Sequence, residues 1–342
     1  MTRAPITSCP DAQLLIAYAE GTVPTPTIQL IERHLAGCLL CTELHGRLLE
    51  FERAQSIRML GGRYAVLKEL GRGGMGIVYQ VLDVQTQETM ALKLLRSELV
   101  RDGRSLRRFE NELRLARTIA HPNVCRSHSF GWTPESPYIA MEFIEGKTLR
   151  QLLHPGIALS VPRGLEIARQ ICAGLLELHE HGIVHRDLKP ENVIVTGSMR
   201  VVLVDFGLAR LVGSESTLSA ALVGTPGYMA PEQIEGKIAD RRTDIYTLGL
   251  ALYEMFTGTV PFVGETAIAL AMKQVRECPP LPRLANSSIP HVLERAILRC
   301  LEKNPADRFD SVAEVEQLLD KVHAALALGG TRNAATPKKR MA

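Results

Sequence analysis

The densest chemistry in the chain is the run His185-Arg186-Asp187-Leu188-Lys189-Pro190-Glu191-Asn192, in which five of eight side chains are charged or chargeable. It is wedged between an apolar stretch at residues 171–178 and the strand-like Val193-Ile194-Val195. Ions are costly to desolvate unless they are paired or put to use. Charges held between apolar segments therefore need a reason. Thirteen residues after Asn192 comes Asp205-Phe206-Gly207, directly behind the apolar residues 201–204. A carboxylate at a strand end suits a hard divalent cation held in a crevice.

Two upstream features could hold the anion that such a cation would neutralise. Gly71-Arg72-Gly73-Gly74-Met75-Gly76 is glycine-rich, and Val78 follows shortly after. Taken alone, a G-x-G-x-x-G pattern is weak. Here it lies between two strand-like stretches rather than between a strand and a helix, which disfavours a dinucleotide-binding unit. It fits a β-hairpin whose tip folds over phosphates, because glycine lets backbone N–H groups approach anionic oxygens. Fifteen residues after Val78, Lys93 shares a strand face with Ala91 and should point inward. A buried lysine needs an anion. Glu112, or a phosphate, could provide one.

These residues need elements to position them. The pattern predicts strands over residues 64–70, 77–83 and 90–95, with a polar turn near 85–88. A helix should follow, since Leu106, Phe109, Leu113, Ala116 and Ile119 recur every three or four residues. From Gly164 onward helical periods dominate. Two short strands at 193–195 and 201–204, joined at Gly197-Ser198, are the exceptions.

With these pieces in order, residues 63–325 resemble the eukaryotic-type serine/threonine protein kinases, and Gly73-Gly74-Met75-Gly76 is similar to their bacterial branch. The glycine loop, strand lysine, helix glutamate, His-Arg-Asp loop, Asp-Phe-Gly and Ala230-Pro231-Glu232 come in that family's sequence. The resemblance implies an α+β, bilobal kinase fold that uses ATP and Mg²⁺. Gly71, Gly73, Gly74 and Gly76 would cover the phosphates. Lys93 would hold the α- and β-phosphates and pair with Glu112. Asp205 and Asn192 would bind Mg²⁺, Asp187 would accept the substrate hydroxyl's proton, and Lys189 would neutralise the transferring group. Val78, Ala91 and Ile194 would sandwich adenine, with Met141 behind it and Glu142 opening a hinge over residues 142–146. Asp244 would brace the catalytic loop, and Arg308 would pair with Glu232. Lys189, Gly224-Thr225 and Tyr228-Met229-Ala230 resemble the serine/threonine class. No catalytic position departs from the pattern. The alternative is a catalytically weak kinase fold that scaffolds a partner. Phosphorylation of Thr217 or Ser219, read by Arg186, is the expected switch.

The N-terminal cysteines carry a second chemistry. His34, Cys38 and Cys41 have H-x3-C-x2-C spacing behind an amphipathic run marked by Ile28, Ile31 and Leu35. Steps of four and seven on a helix return to one face, so the three side chains converge. Zinc takes four nitrogen or sulfur ligands. Cys9 is the best fourth and His45 the runner-up. The stretch resembles the zinc-binding anti-sigma domain. Its role could be structural, a docking surface for a sigma-factor-like partner, or a thiol-based redox switch.

Composition bounds the rest. The expected organisation is a helical zinc-binding module over 1–55, a joint over 56–62, the kinase-like domain over 63–325 and a flexible tail over 326–342. A formal net charge of +3 argues neither for nor against nucleic acid, because patches matter more than totals, but the lack of a basic or aromatic stripe in 1–55 disfavours it as partner. Protein substrates are expected instead. No apolar run reaches the roughly 20 residues of a membrane helix. An odd count of seven cysteines without a framework pattern points to a reducing, cytoplasmic setting.

Overall fold

A computed structural model describes residues 9–10, 12–19, 23–43, 45–46, 58–97, 114–134, 136–206 and 226–333. Glu112, Gly207, Thr217, Ser219 and Thr225 lie outside the described residues, as does most of the helix expected around residues 106–119. The chain divides into two compact units, one of residues 1–67 and 82–88, the other of residues 68–81 and 89–342.

In the first unit, α1 (Ala12–Ala19) and α2 (Thr25–Leu35) form the N-terminal module. Pro24 precedes α2 in an extended conformation, and a proline in the first turn costs that helix no hydrogen bond. The module's core is small: Leu15, Val23, Ile31 and Cys41 are buried, with Ile28, Leu35 and Tyr18 packed against them. Further on, β1 (Met59–Leu60) pairs with the start of β2 (Tyr64–Gly73). Gly61 and Gly62 take φ of +57° and +67°, which this tight reversal requires. Arg63 grips the buried carboxylate of Asp83 through both Nε and Nη2, and that contact holds the Asp83 carboxyl below its usual range.

The sheet continues with β3 (Gly76–Asp83), β4 (Glu88–Leu95), β5 (Ser127–Trp132) and β6 (Pro137–Glu142), in the order β1-β2-β3-β4-β6-β5. The glycine segment is tighter than the sequence pattern implies. Residues 71–73 remain in β2 and Gly76 already opens β3, which leaves Gly74-Met75 as the turn. Strand β4 likewise starts at Glu88, because the polar turn before it is shorter than expected.

A helical lobe follows: β7 (Lys147–Thr148), α3 (Leu149–Leu152), α4 (Val161–Glu180), β8 (Val193–Val195), β9 (Val201–Leu203) and α5 (Pro231–Ile234). Then come α6 (Arg241–Thr257), α7 (Ala267–Arg276), α8 (Pro282–Ala285), α9 (His291–Cys300) and α10 (Val312–Asn333). The last helix continues beyond residue 325, where a flexible tail was expected. Strands β7, β8 and β9 form a second, three-stranded sheet, and the two strands expected at 193–195 and 201–204 are present. Helix α6 is the spine. Every residue from Thr243 to Thr257 is buried, so it lacks the polar face of a surface helix.

A buried ion pair ties the lobe together, as the resemblance implied. Arg308, 1% exposed, donates to both carboxylate oxygens of Glu232 at 2.8 and 2.9 Å. It also donates to the carbonyls of Glu302, Lys303 and Arg242, so its donor fork is well satisfied. Burial works against the charge on Glu232, but Arg308 outweighs it and the carboxyl's pKa is lowered. The pair's contribution is thus complete above the ordinary glutamate range and is lost as pH falls from that range through the lowered pKa of Glu232. Glu232→Gln should cost about 3–5 kcal/mol, because it strands a buried guanidinium. Denaturant unfolding at pH 7 measures this, and the deficit should shrink in acid.

Candidate active site

The strand lysine lies where expected. Lys93 is 5% exposed on β4, opposite Ile139 of β6, while Ala91 faces Met141. Its ammonium meets Asp205 Oδ2 at 2.8 Å. The expected partner Glu112 lies outside the described residues, so the Lys93–Asp205 contact is the pairing on view. Asp205 has φ +62°, an uncommon conformation for a residue with a side chain. Ala91 and Met141 are buried in one apolar cluster, against which Val78 and Ile194 also pack. The four residues expected around adenine are therefore neighbours. The Glu142 carboxylate is engaged by Arg200 at 2.9 Å.

The glycines differ among themselves. A Cβ at Gly76, which has φ +154°, would lie 2.0 Å from the Leu94 carbonyl oxygen, so packing against β4 excludes any side chain. A Cβ at Gly71 or Gly73 would meet nothing within 4 Å. Those two glycines have no internal steric reason. They leave an unhindered backbone surface of the kind that phosphates need.

In the loop before β8, Lys189 Nζ donates to both oxygens of Asp187 at 2.9 Å. Asn192 Nδ2 donates to the Asp187 carbonyl at 2.7 Å and to its Oδ2 at 2.9 Å. The loop is braced as expected: Asp244, wholly buried on α6, accepts from the backbone N–H groups of His185 and Arg186, each at 2.8 Å. Two braces escaped the sequence reading. His179 Nε2 lies 2.7 Å from Asp244, and Gln233 Nε2 donates to the Arg186 carbonyl at 2.8 Å. Neither carries a local signal, since the partners are 65 and 47 residues away. His185 is buried, and burial lowers its pKa despite the surrounding carboxylates. Its ring meets Phe206 edge-on at 6.4 Å. Asp205 and Asn192 offer the oxygen donors that magnesium prefers, and their positions beside Lys93 and Asp187 fit that ion.

In the N-terminal unit, the ligand atoms of Cys9, His34, Cys38 and Cys41 all lie within 4.8 Å of one another. His45, the runner-up, stands outside this group and stacks on Tyr18 at 5.0 Å. Local turns explain the convergence. Gly37 N–H donates to the His34 carbonyl at 3.0 Å, turning the chain as α2 ends. Thr42 then caps back onto the carbonyls of Leu35 and Cys38. The Cys9 and Cys38 sulfurs are 3.9 Å apart. A disulfide would require about 2.05 Å, whereas a tetrahedron with metal–sulfur bonds of about 2.3 Å has edges of about 3.8 Å. His34 Nε2 is buried with no hydrogen-bond partner among the described residues. The Cys38 thiol is lowered to about 7, first by the backbone N–H of Cys41, and Cys41 is pushed up to about 12 by burial. The donor set fits zinc.

The family described as "Protein kinase domain" matches residues 64–321. The chain is 37% identical over 271 residues to the serine/threonine-protein kinase PknB of Mycolicibacterium smegmatis, a match covering 77% of this chain and 43% of that protein. It is 39% identical over 285 residues to a probable serine/threonine-protein kinase of Streptomyces coelicolor, covering 80% and 42%. It thus spans less than half the length of these relatives. The crystal structure of the Mycobacterium tuberculosis PknI kinase domain superposes with a TM-score of 0.63 at 29% identity, covering 78% of this chain and 98% of that one.

Asp244 is the brace most open to test. Asp244→Asn turns one acceptor into a donor facing the loop N–H groups. It should cost about 3 kcal/mol, as for a buried charge-assisted hydrogen-bond network. The unfolding midpoint in urea is the measurement.

Proposed function

The chain belongs to the protein kinase family, and from that premise we propose that it transfers the γ-phosphoryl group of ATP to serine or threonine hydroxyls of proteins. The observation that carries this reading is the pairing of Lys93 with Asp205 alongside the cluster of Asp187, Lys189 and Asn192. Each carboxylate has its own ammonium partner, so opposite charges stand ready where phosphates and a hydroxyl would meet. Phosphoryl transfer spreads negative charge in its transition state, and catalysis is chiefly positioning and electrostatics.

The roles are those the family resemblance implies, and the geometry supports them. Asp187, oriented by Lys189 and Asn192, receives the hydroxyl's proton and aims its oxygen at the γ-phosphorus. Lys189, held on the Asp187 carboxylate at 2.9 Å, offsets charge on the transferring group. Lys93 holds the α- and β-phosphates beneath the hairpin of Gly71, Gly73, Gly74 and Gly76. Magnesium, held by Asp205 and Asn192, would supply charge neutralisation of the phosphates. Val78, Ala91, Met141 and Ile194 bind adenine, with the backbone around Glu142 as its hydrogen-bonding edge. Asp205→Ala should lower autophosphorylation by at least about a hundredfold with the circular dichroism spectrum unchanged. Near-normal phosphate incorporation would remove Asp205 from this role.

The N-terminal module extends the proposal. Cys9, His34, Cys38 and Cys41 hold one zinc ion, which supplies a covalent-strength crosslink to a core too small to be stable alone. Leu39 and Leu40, between two of these ligands, are 90% and 73% exposed. That supports docking of a regulatory protein of the sigma-factor type. A cytoplasmic setting agrees with seven free cysteines. No helix among the described residues is long and apolar enough to cross a membrane. Metal analysis of the purified protein should find about one zinc per chain. Cys38→Ser with Cys41→Ser should abolish it, and zinc retained in that variant would overturn the ligand set.

A further inference from the structure

Among the described residues, Arg150 makes four side-chain hydrogen bonds beside the catalytic loop, and the catalytic roles above leave it without a task. It lies on α3, whose start is fixed by a capping box between Thr148 and Gln151. Its Nε donates to Glu191 Oε1 at 2.8 Å. Its Nη1 meets Glu254 Oε1, and its Nη2 reaches Glu254 Oε2 at 3.2 Å and the Tyr228 hydroxyl at 3.3 Å. The Tyr228 hydroxyl donates in turn to Glu254 Oε2, and burial with the Glu254 charge pushes the phenol's pKa up, so it stays a donor. One guanidinium thus joins four places: α3, the catalytic loop, α6 and the short segment Pro226–Tyr228.

That segment is also held from its other side. Gln274 Nε2 on α7 donates to the Gly227 carbonyl at 2.6 Å, while Tyr246 and Lys303 hold Gln274. The two grips differ in what they connect. Gln274 ties the segment to α7. Arg150 ties it to Glu191, which lies between Lys189 and Asn192 in the chain. The segment and the loop also approach at Gln233, which donates to the Arg186 carbonyl and accepts from Ala230 N–H. On the kinase reading, a polypeptide that delivers a hydroxyl to Asp187 must lie along this same seam.

We propose that Arg150 is a positioning residue for the protein acceptor, a clamp that registers the Pro226–Tyr228 segment against the catalytic loop through Glu191. Two carboxylates and a phenol converge there on one cation. The planar fork reaches them from three separate nitrogens, Nε to Glu191, Nη1 to Glu254 and Nη2 to Glu254 and Tyr228, a spread that the single nitrogen of a lysine does not reproduce. The clamp touches neither the adenine cluster nor Lys93, so it acts on the acceptor and leaves nucleotide binding alone.

This inference rests on the kinase reading, and steady-state kinetics with ATP and a serine peptide separate the two. Arg150→Ala should raise the KM for peptide by about tenfold, with the KM for ATP within about twofold of wild type. Arg150→Lys should recover part of the loss. Glu191→Gln should also raise the peptide KM, because it opens the same link, and its nearly half-exposed side chain keeps the test alive should Arg150→Ala not fold. A peptide KM within about twofold of wild type in the folded variants overturns the clamp, as does an equal rise in both KM values. Wild-type protein that transfers no phosphate refutes the kinase reading instead. The clamp is then judged by amide hydrogen exchange at Tyr228 and Met229. Arg150→Ala should speed it by about tenfold or more, and unchanged exchange would refute the clamp.

Discussion

Much of the catalytic architecture hangs on one buried carboxylate. Asp244 has no solvent exposure and sits on a helix buried on every side, so it cannot relax toward water. Its oxygens are occupied by two consecutive backbone N–H groups, of His185 and Arg186, and by the His179 ring. Arg186 is thereby held at φ +63°, a conformation that a bulky side chain disfavours and that persists only where the surroundings over-determine it. Asp187 is the next residue. Its direction is dictated by a carboxylate some 58 positions further along the chain, by way of a strained peptide that the packed lobe keeps in place.

The same logic recurs at the other acidic residue. Asp205 also has a positive φ, and it too leaves an apolar strand, β9, whose three residues are wholly buried. The strand fixes where the chain emerges, and the unusual backbone turns the carboxylate toward Lys93. The two strained residues, Arg186 and Asp205, adjoin or carry the charges at the centre of the site. Around them the aspartates and lysines pair one to one, Asp187 with Lys189 and Asp205 with Lys93. Each ionised group thus has a partner of opposite sign, which offsets the cost of holding these charges partly buried.

Local order was legible in the sequence, and long-range pairing was not. The strand lysine, the charged loop and the short strands around it follow from spacings within a few residues, where backbone period decides which side chains meet. The Cys/His convergence was legible only in part, because α2 ends at Leu35 and a turn, not one helix face, brings Cys38 and Cys41 to His34, while Cys9 arrives from 29 residues away. The Glu232–Arg308 pair and the Asp244 brace were readable only through resemblance, because nothing local links residues 76 positions apart. The glycine turn came out shorter than its motif implied, since cross-strand pairing carries residues 71–73 into β2. The last helix runs to Asn333, because alanine-rich residues extend a helix that packing against α4 has already begun. Arg150 and His179 were missed for one reason. Their partners lie 41 to 104 residues away, and only the folded lobe brings them within reach.

The N-terminal module shows the same dependence in reverse. Among the described residues its apolar core has four buried members, and one of them, Cys41, is also a member of the donor cluster. Core and cluster therefore cannot be varied separately. Three thiols and an unpartnered buried imidazole nitrogen, packed within 4.8 Å, compete for protons and leave a polar group unsatisfied. A divalent cation resolves both problems in one step, by displacing the thiol protons and engaging the ring nitrogen. The module's folding free energy would then be largely metal-binding free energy. Anything that alters the sulfurs would act on the whole module, including the exposed Leu39 and Leu40 between its ligands. A small core that shares Cys41 with the donor cluster couples its packing to whatever the sulfurs bind, a coupling that would serve a structural staple, a docking surface and a redox sensor alike.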